Sequence, residues 1–187
     1  MRFWTRPLAT LAVAGLFAAP ARAADAPIKE GDKAPDIELQ ATQIEKALPD
    51  KKGAKTLKLS DLKGKKNVVL FFYPKAMTRG CTVESCGFRD VNEQFTKIDT
   101  VILGISTDNL DLQQQFTDKE KLNFPLLADP EKKLTKAFGA LRPDGNMAQR
   151  YTYVIDKEGK VRKVYTTVSP QGHPEEVLKF VKENLAK

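Results

Sequence analysis

The chain has 187 residues, with 31 Lys and Arg against 24 Asp and Glu and a net charge of +7. That length sets an expectation of one domain with a sizeable core. The lysines are scattered rather than striped, which argues against nucleic-acid binding, and no apolar run approaches the roughly 20 residues a membrane span needs.

Residues 1–23 read as a secretory signal peptide in three parts. Arg2 and Arg6 precede the short apolar run "LATLAVAGLFAAP", and Ala21 and Ala23 supply small residues before a cut. Cleavage after Ala23 leaves 187 − 23 = 164 residues, expected to be one domain over 24–187 in the periplasm or otherwise outside the cytosol. The loss of Arg2, Arg6 and Arg22 leaves 31 − 3 = 28 basic residues against 24 acidic, or +4.

Residues 24–34 are polar and expected to form a loose arm. "PDIELQ" alternates weakly as a strand, and "TLKLSDL" is a candidate partner for it. Between them, residues 40–55 are charged and irregular, and a surface insertion is expected there. "NVVLFFY", residues 67–73, is the clearest element: an unbroken β-branched and aromatic run, as a buried central strand should be, closed by Pro74. A helix follows over about residues 80–96, with Val83, Phe88, Val91 and Phe95 at helical spacing. Then come a buried strand "TVILGIST", a helix over 110–122, a short strand "FPLLAD", and a short helix closed by Gly139. "RYTYVID" and "KVRKVYTTV" form a hairpin across "DKEG", and "HPEEVLKFVKENL" is a last helix with His173 expected at its N-cap. The order predicts an α/β domain: a mixed central sheet with helices on both faces, in a thioredoxin-like arrangement.

Only two cysteines occur, Cys81 and Cys86. In an exported protein the default reading of such a pair is a structural disulfide. The local pattern opposes it. In an ideal helix residues i and i+5 lie about 8.6 Å apart at Cα, whereas a disulfide wants roughly 4.4–6.8 Å. A bond that forms when the helix opens fits better than a permanent one. Zinc lacks ligands, since two cysteines and one distant histidine do not fill a tetrahedral site. Cys81 falls after a buried strand, in the first turn of the next helix, where free N–H groups and the helix dipole favour an anion such as a thiolate.

The segment "YPKAMTRGCTVESCGFRD" resembles the active-site segment of peroxiredoxins, closely the Q-type subfamily, also called bacterioferritin comigratory proteins. Pro74, Thr78 and Cys81 match the family pattern P-x-x-x-T-x-x-C, and Cys86 stands where the Q-type resolving cysteine does. Arg150 in "QRYTYVID" matches the family's site arginine. The resemblance runs over nearly all of residues 24–187 and implies a thioredoxin-like fold and a thiol-dependent peroxidase. Cys81 thiolate would attack a hydrogen peroxide or organic hydroperoxide, with Thr78 and Arg150 holding the peroxide oxygens and Pro74 shielding the sulfur. Cys86 would then close a disulfide for an external dithiol protein, thioredoxin-like or glutaredoxin-like, to reduce. The resemblance implies no metal or organic cofactor, and a monomer. Arg79 departs from the family, which commonly has proline there; a solvated side chain is expected. Glu84 reads equally as a support for the active-site turn or as a solvated acid. Two other classes share these features less well. A thioredoxin-type thiol–disulfide oxidoreductase uses C-x-x-C, and a copper-delivery protein of the same fold uses C-x-x-x-C with a histidine.

Overall fold

The computed structural model describes Met1 and residues 27–186, so the signal-peptide reading lies outside the described residues. Among the described residues seven strands form one sheet: β1 (Leu39–Ala41), β2 (Thr56–Leu57), β3 (Asn67–Phe72), β4 (Thr100–Ser106), β5 (Leu126–Ala128), β6 (Tyr151–Ile155) and β7 (Val161–Tyr165). Their spatial order is β2-β1-β5-β4-β3-β6-β7. β3, β4 and β5 run parallel, and the remaining pairs are antiparallel, so the sheet is mixed as expected. The α-helices of the described residues are α1 (Arg79–Thr96), α2 (Leu110–Glu120), α3 (Lys133–Ala137) and α4 (His173–Asn184).

The sheet is buried on both faces, which is why its central strands are continuously apolar. Side chains alternate along β3, so Val68, Leu70 and Phe72 enter one core while Val69, Phe71 and Tyr73 enter the other. The second core takes Phe88 and Phe95 from α1, Phe116 from α2 and Val177 and Val181 from α4. The first is closed by Leu134 of α3 and by short 3-10 turns at Ile44–Lys46 and Leu59–Asp61.

Three expectations need correction. Residues 40–55 are not a mere surface insertion, because Ile44, Ala47 and Leu48 are buried in the first core and the Gln43 amide donates to the carbonyls of Leu122 and Phe124. From Pro27 onward the arm is docked rather than loose. Ile28 is buried, and Gly31 N–H and Ala34 N–H donate to the Val161 and Gly159 carbonyls. In α1, Val83 faces solvent at 44% exposure, and the buried stripe runs instead through Cys81, Glu84, Ser85, Phe88 and Phe95.

Candidate active site

Both cysteines lie in α1, which leaves the carboxyl end of β3 after a six-residue loop (73–78). That loop is pinned from below. Ala76 N–H donates to the Asp108 carboxylate at 2.8 Å, and Ser106 at the end of β4 donates its hydroxyl to the same oxygen. Tyr73 is fully buried and its hydroxyl donates to Gln113, whose amide donates in turn to Ser106 Oγ and the Leu127 carbonyl. Burial pushes the Tyr73 phenol well above its ordinary range, so it stays a donor. Pro74 follows Tyr73, half-buried at the strand exit.

Thr78 is the N-cap residue of α1 in extended conformation; its hydroxyl donates to the Lys75 carbonyl at 3.0 Å. Cys81 is the third helical residue and has no exposed surface. Arg150, just before β6, reaches across to it. One terminal nitrogen, Nη2, lies 3.4 Å from Cys81 Sγ, and the other, Nη1, is hydrogen-bonded to the Glu84 carboxylate. Gly80 makes room for this crossing. A Cβ there would sit 3.3 Å from Arg150 Nη2, so the open space beside the sulfur is used by a side chain.

Glu84 is fully buried, one turn beyond Cys81, and therefore serves the site rather than the solvent. Burial pushes its carboxyl up to about 7 although the Arg150 charge opposes the shift. Sequence reasoning left Glu84 undecided because an acid in a first helical turn has an ordinary solvated explanation. Its burial depends on Arg150, 66 residues away in the chain.

Cys86 is part-buried further along the same unbroken helix, and both cysteines are free thiols. Its Sγ donates to Glu120 Oε2 across 3.7 Å. Arg79 is exposed, as expected of a solvated side chain. His173 is the first residue of α4 rather than its cap, which is Gly172. The ring is buried, with Nε2 2.8 Å from Thr152 Oγ1 and Nδ1 3.6 Å from the Glu176 carboxylate. Burial holds it below the ordinary imidazole range, hence neutral, and it ties α4 to β6 two residues from Arg150. With both ring nitrogens engaged, it is poorly placed to join the cysteines in holding copper.

A buried cysteine in a first helical turn, under a guanidinium fixed by a buried carboxylate on a thioredoxin-like sheet, defines a thiol-based redox site. The chain belongs to the AhpC/TSA family, whose model matches residues 30–164. Its relatives within that family include the Bcp, or Q-type, peroxiredoxins. It is 41% identical over 162 residues to Peroxiredoxin Bcp of Bacillus subtilis (strain 168), covering 83% of this chain and 96% of that one. The crystal structure of Peroxidoxin BcpB from Mycobacterium tuberculosis superposes with a TM-score of 0.73 at 34% identity, over 84% of this chain and 98% of that one. Xanthomonas campestris bacterioferritin comigratory protein, studied for alkyl peroxide reduction, superposes with a TM-score of 0.70 at 27% identity, over 81% and 92% of the two chains. The protein is accordingly a thiol-dependent peroxidase, acting on a peroxide with the help of a reductant protein.

Proposed function

We propose that Cys81 is the peroxidatic cysteine and Cys86 the resolving cysteine of an enzyme that reduces hydrogen peroxide and organic hydroperoxides. The observation that carries the assignment is the Arg150 guanidinium, 3.4 Å from Cys81 Sγ and held by Glu84. Cys81 thiolate attacks the nearer peroxide oxygen in line with the O–O bond. That bond breaks, the sulfur becomes a sulfenic acid, and the leaving hydroxide or alkoxide takes up a proton. Charge grows on the leaving oxygen, where a fixed cation acts most strongly. Arg150 keeps 18% side-chain exposure while the sulfur has none, so a peroxide enters along the guanidinium. Thr78 supplies a hydroxyl at the helix cap for the second oxygen. Pro74, stiff and half-buried at the strand exit, keeps bulk water from the sulfur. Organic hydroperoxides are included because the X. campestris relative is described by its alkyl peroxide reduction.

Cys86 then condenses with the sulfenic acid, giving a disulfide and water. An external dithiol protein, thioredoxin-like or glutaredoxin-like, returns both thiols. The three-part leader of residues 1–23 supports export and a periplasmic domain over 24–187, and the enzyme is proposed to act as a monomer. The test is a pair of variants given one equivalent of peroxide. Cys81→Ser should lose all peroxide reduction. Cys86→Ser should complete one turnover and retain a sulfenic acid on Cys81. A Cys86→Ser protein that cannot react once, beside a Cys81→Ser protein that can, reverses the roles.

A further inference from the structure

Cys86 has a built environment of its own, apart from the peroxide site. Glu120, the last residue of α2, offers two groups to α1. Its side-chain Oε2 accepts from Cys86 Sγ across 3.7 Å, and its backbone carbonyl accepts from Arg89 Nη1 at 2.6 Å. Below that point α1 is fixed several times over. The Asn92 amide donates to the Asn123 carbonyl, Asn123 donates back to the Arg89 carbonyl, and Gly87 lies so close to Pro174 that a Cβ there would come within 2.9 Å of it. Cys86 is therefore the last residue of the segment that can unwind, and among the described residues the Glu120 carboxylate is the side-chain hydrogen-bond partner of its thiol. The charged groups facing it are Arg89 and Asp90 from α1 and Glu120 from α2.

We propose that Glu120 is a positioning residue for the resolving step, holding Cys86 as a docked, protonated thiol while α1 is helical and freeing it when the helix opens. The inference rests on the role given to Cys86 above. A carboxylate beside a thiol disfavours the thiolate. Burial pushes the Cys86 thiol up, and Glu120 adds to that against the pull of Arg89. In the helical state Cys86 is thus a poor nucleophile and does not compete with Cys81 for peroxide. Opening carries it away from Glu120 and restores its nucleophilicity where it is needed. The step balances: the Cys86 sulfur pair forms the S–S bond, the S–O bond of the Cys81 sulfenic acid breaks, and hydroxide leaves to combine with the thiol proton as water.

The test uses Cys81→Ser, in which Cys86 is the sole thiol. Its alkylation by iodoacetamide is followed against pH with Glu120 intact and in Glu120→Gln, which keeps an oxygen acceptor and removes the charge. The midpoint should fall by about one pH unit, with alkylation at neutral pH several-fold faster. An unchanged or higher midpoint overturns the proposal. With both cysteines present, Glu120→Gln should form the disulfide several-fold faster after one equivalent of peroxide; slower formation would make Glu120 a proton acceptor and overturn the docking role. The alkylation arm involves no peroxide, so it stands apart from any failure in the assignment of Cys81.

Discussion

Arg150 spends the two ends of one guanidinium on two partners, Nη1 on Glu84 and Nη2 on Cys81. A lysine has the charge but not the fork. Arg150→Lys should therefore keep the fold and lose about 10²-fold in the rate of the peroxide reaction, the scale of losing one aimed donor. Competition for peroxide against a thiol of known reactivity measures it, and a loss below threefold would count against the two-point arrangement. Glu84 gives a pH dependence. Its carboxyl is raised from 4.5 to about 7 by burial, so the native state binds more protons than the unfolded chain between those values. Stability of the reduced protein should fall as pH rises through that window, and Glu84→Gln should flatten the slope. Denaturant titrations at pH 5 and pH 7 on both proteins decide it; equal slopes in the two would show that Glu84 is ionised throughout. The resemblance to peroxiredoxins pointed to Cys81, Cys86, Thr78, Pro74 and Arg150, and the fold brings Arg150 onto Cys81; without that resemblance Arg150 reads as a surface arginine at a strand start. Glu120 was not. The role proposed for it depends on α2 ending beside α1, which no spacing within "KEKLNF" encodes.

At the scale of the element, α1 has two unlike halves. Beyond Cys86 it carries the anchors Phe88 and Phe95, both fully buried. Phe88 stacks on Phe71 at 4.7 Å and meets the edge of His173. Its truncation to Ala should cost roughly 3–5 kcal/mol. The first half buries Cys81, Glu84 and Ser85, and there Glu84 Oε1 and Ser85 Oγ are buried without a hydrogen-bond partner among the described residues. Such groups cost about 1–3 kcal/mol each, so the half that must unwind for Cys81 to meet Cys86 is the half least favoured in the helix. The oxidised protein should melt below the reduced one, and amide exchange should quicken at residues 79–88 with little change beyond. An oxidised form of equal or greater stability with unchanged protection would rule unwinding out. The helix itself was legible from its apolar repeat, but its true buried stripe was not. Glu84 is a charged residue at a core position, and Val83 offered a false apolar partner one residue earlier.

For the whole molecule, the strands buried on both faces were the legible part, because a doubly covered sheet writes itself as runs such as "NVVLFFY" and "TVILGIST". The segments docked on the sheet's margin were not. Residues 27–34 and 44–48 are held by backbone hydrogen bonds and a few buried side chains, a pattern too short to show a period. The export reading predicts a mature chain beginning at Ala24 in the periplasmic fraction; N-terminal sequencing that finds Met1 on the accumulated protein would reject it. The central claim is that two thiols in one helix act in sequence, Cys81 first. Peptide mapping of the full protein, quenched at intervals after one equivalent of peroxide, tests it most directly. The account predicts one oxygen gained on Cys81 at early times, converting to a Cys81–Cys86 disulfide with no oxidised Cys86 intermediate. Oxygen appearing first on Cys86, or a disulfide joining two chains, would contradict it.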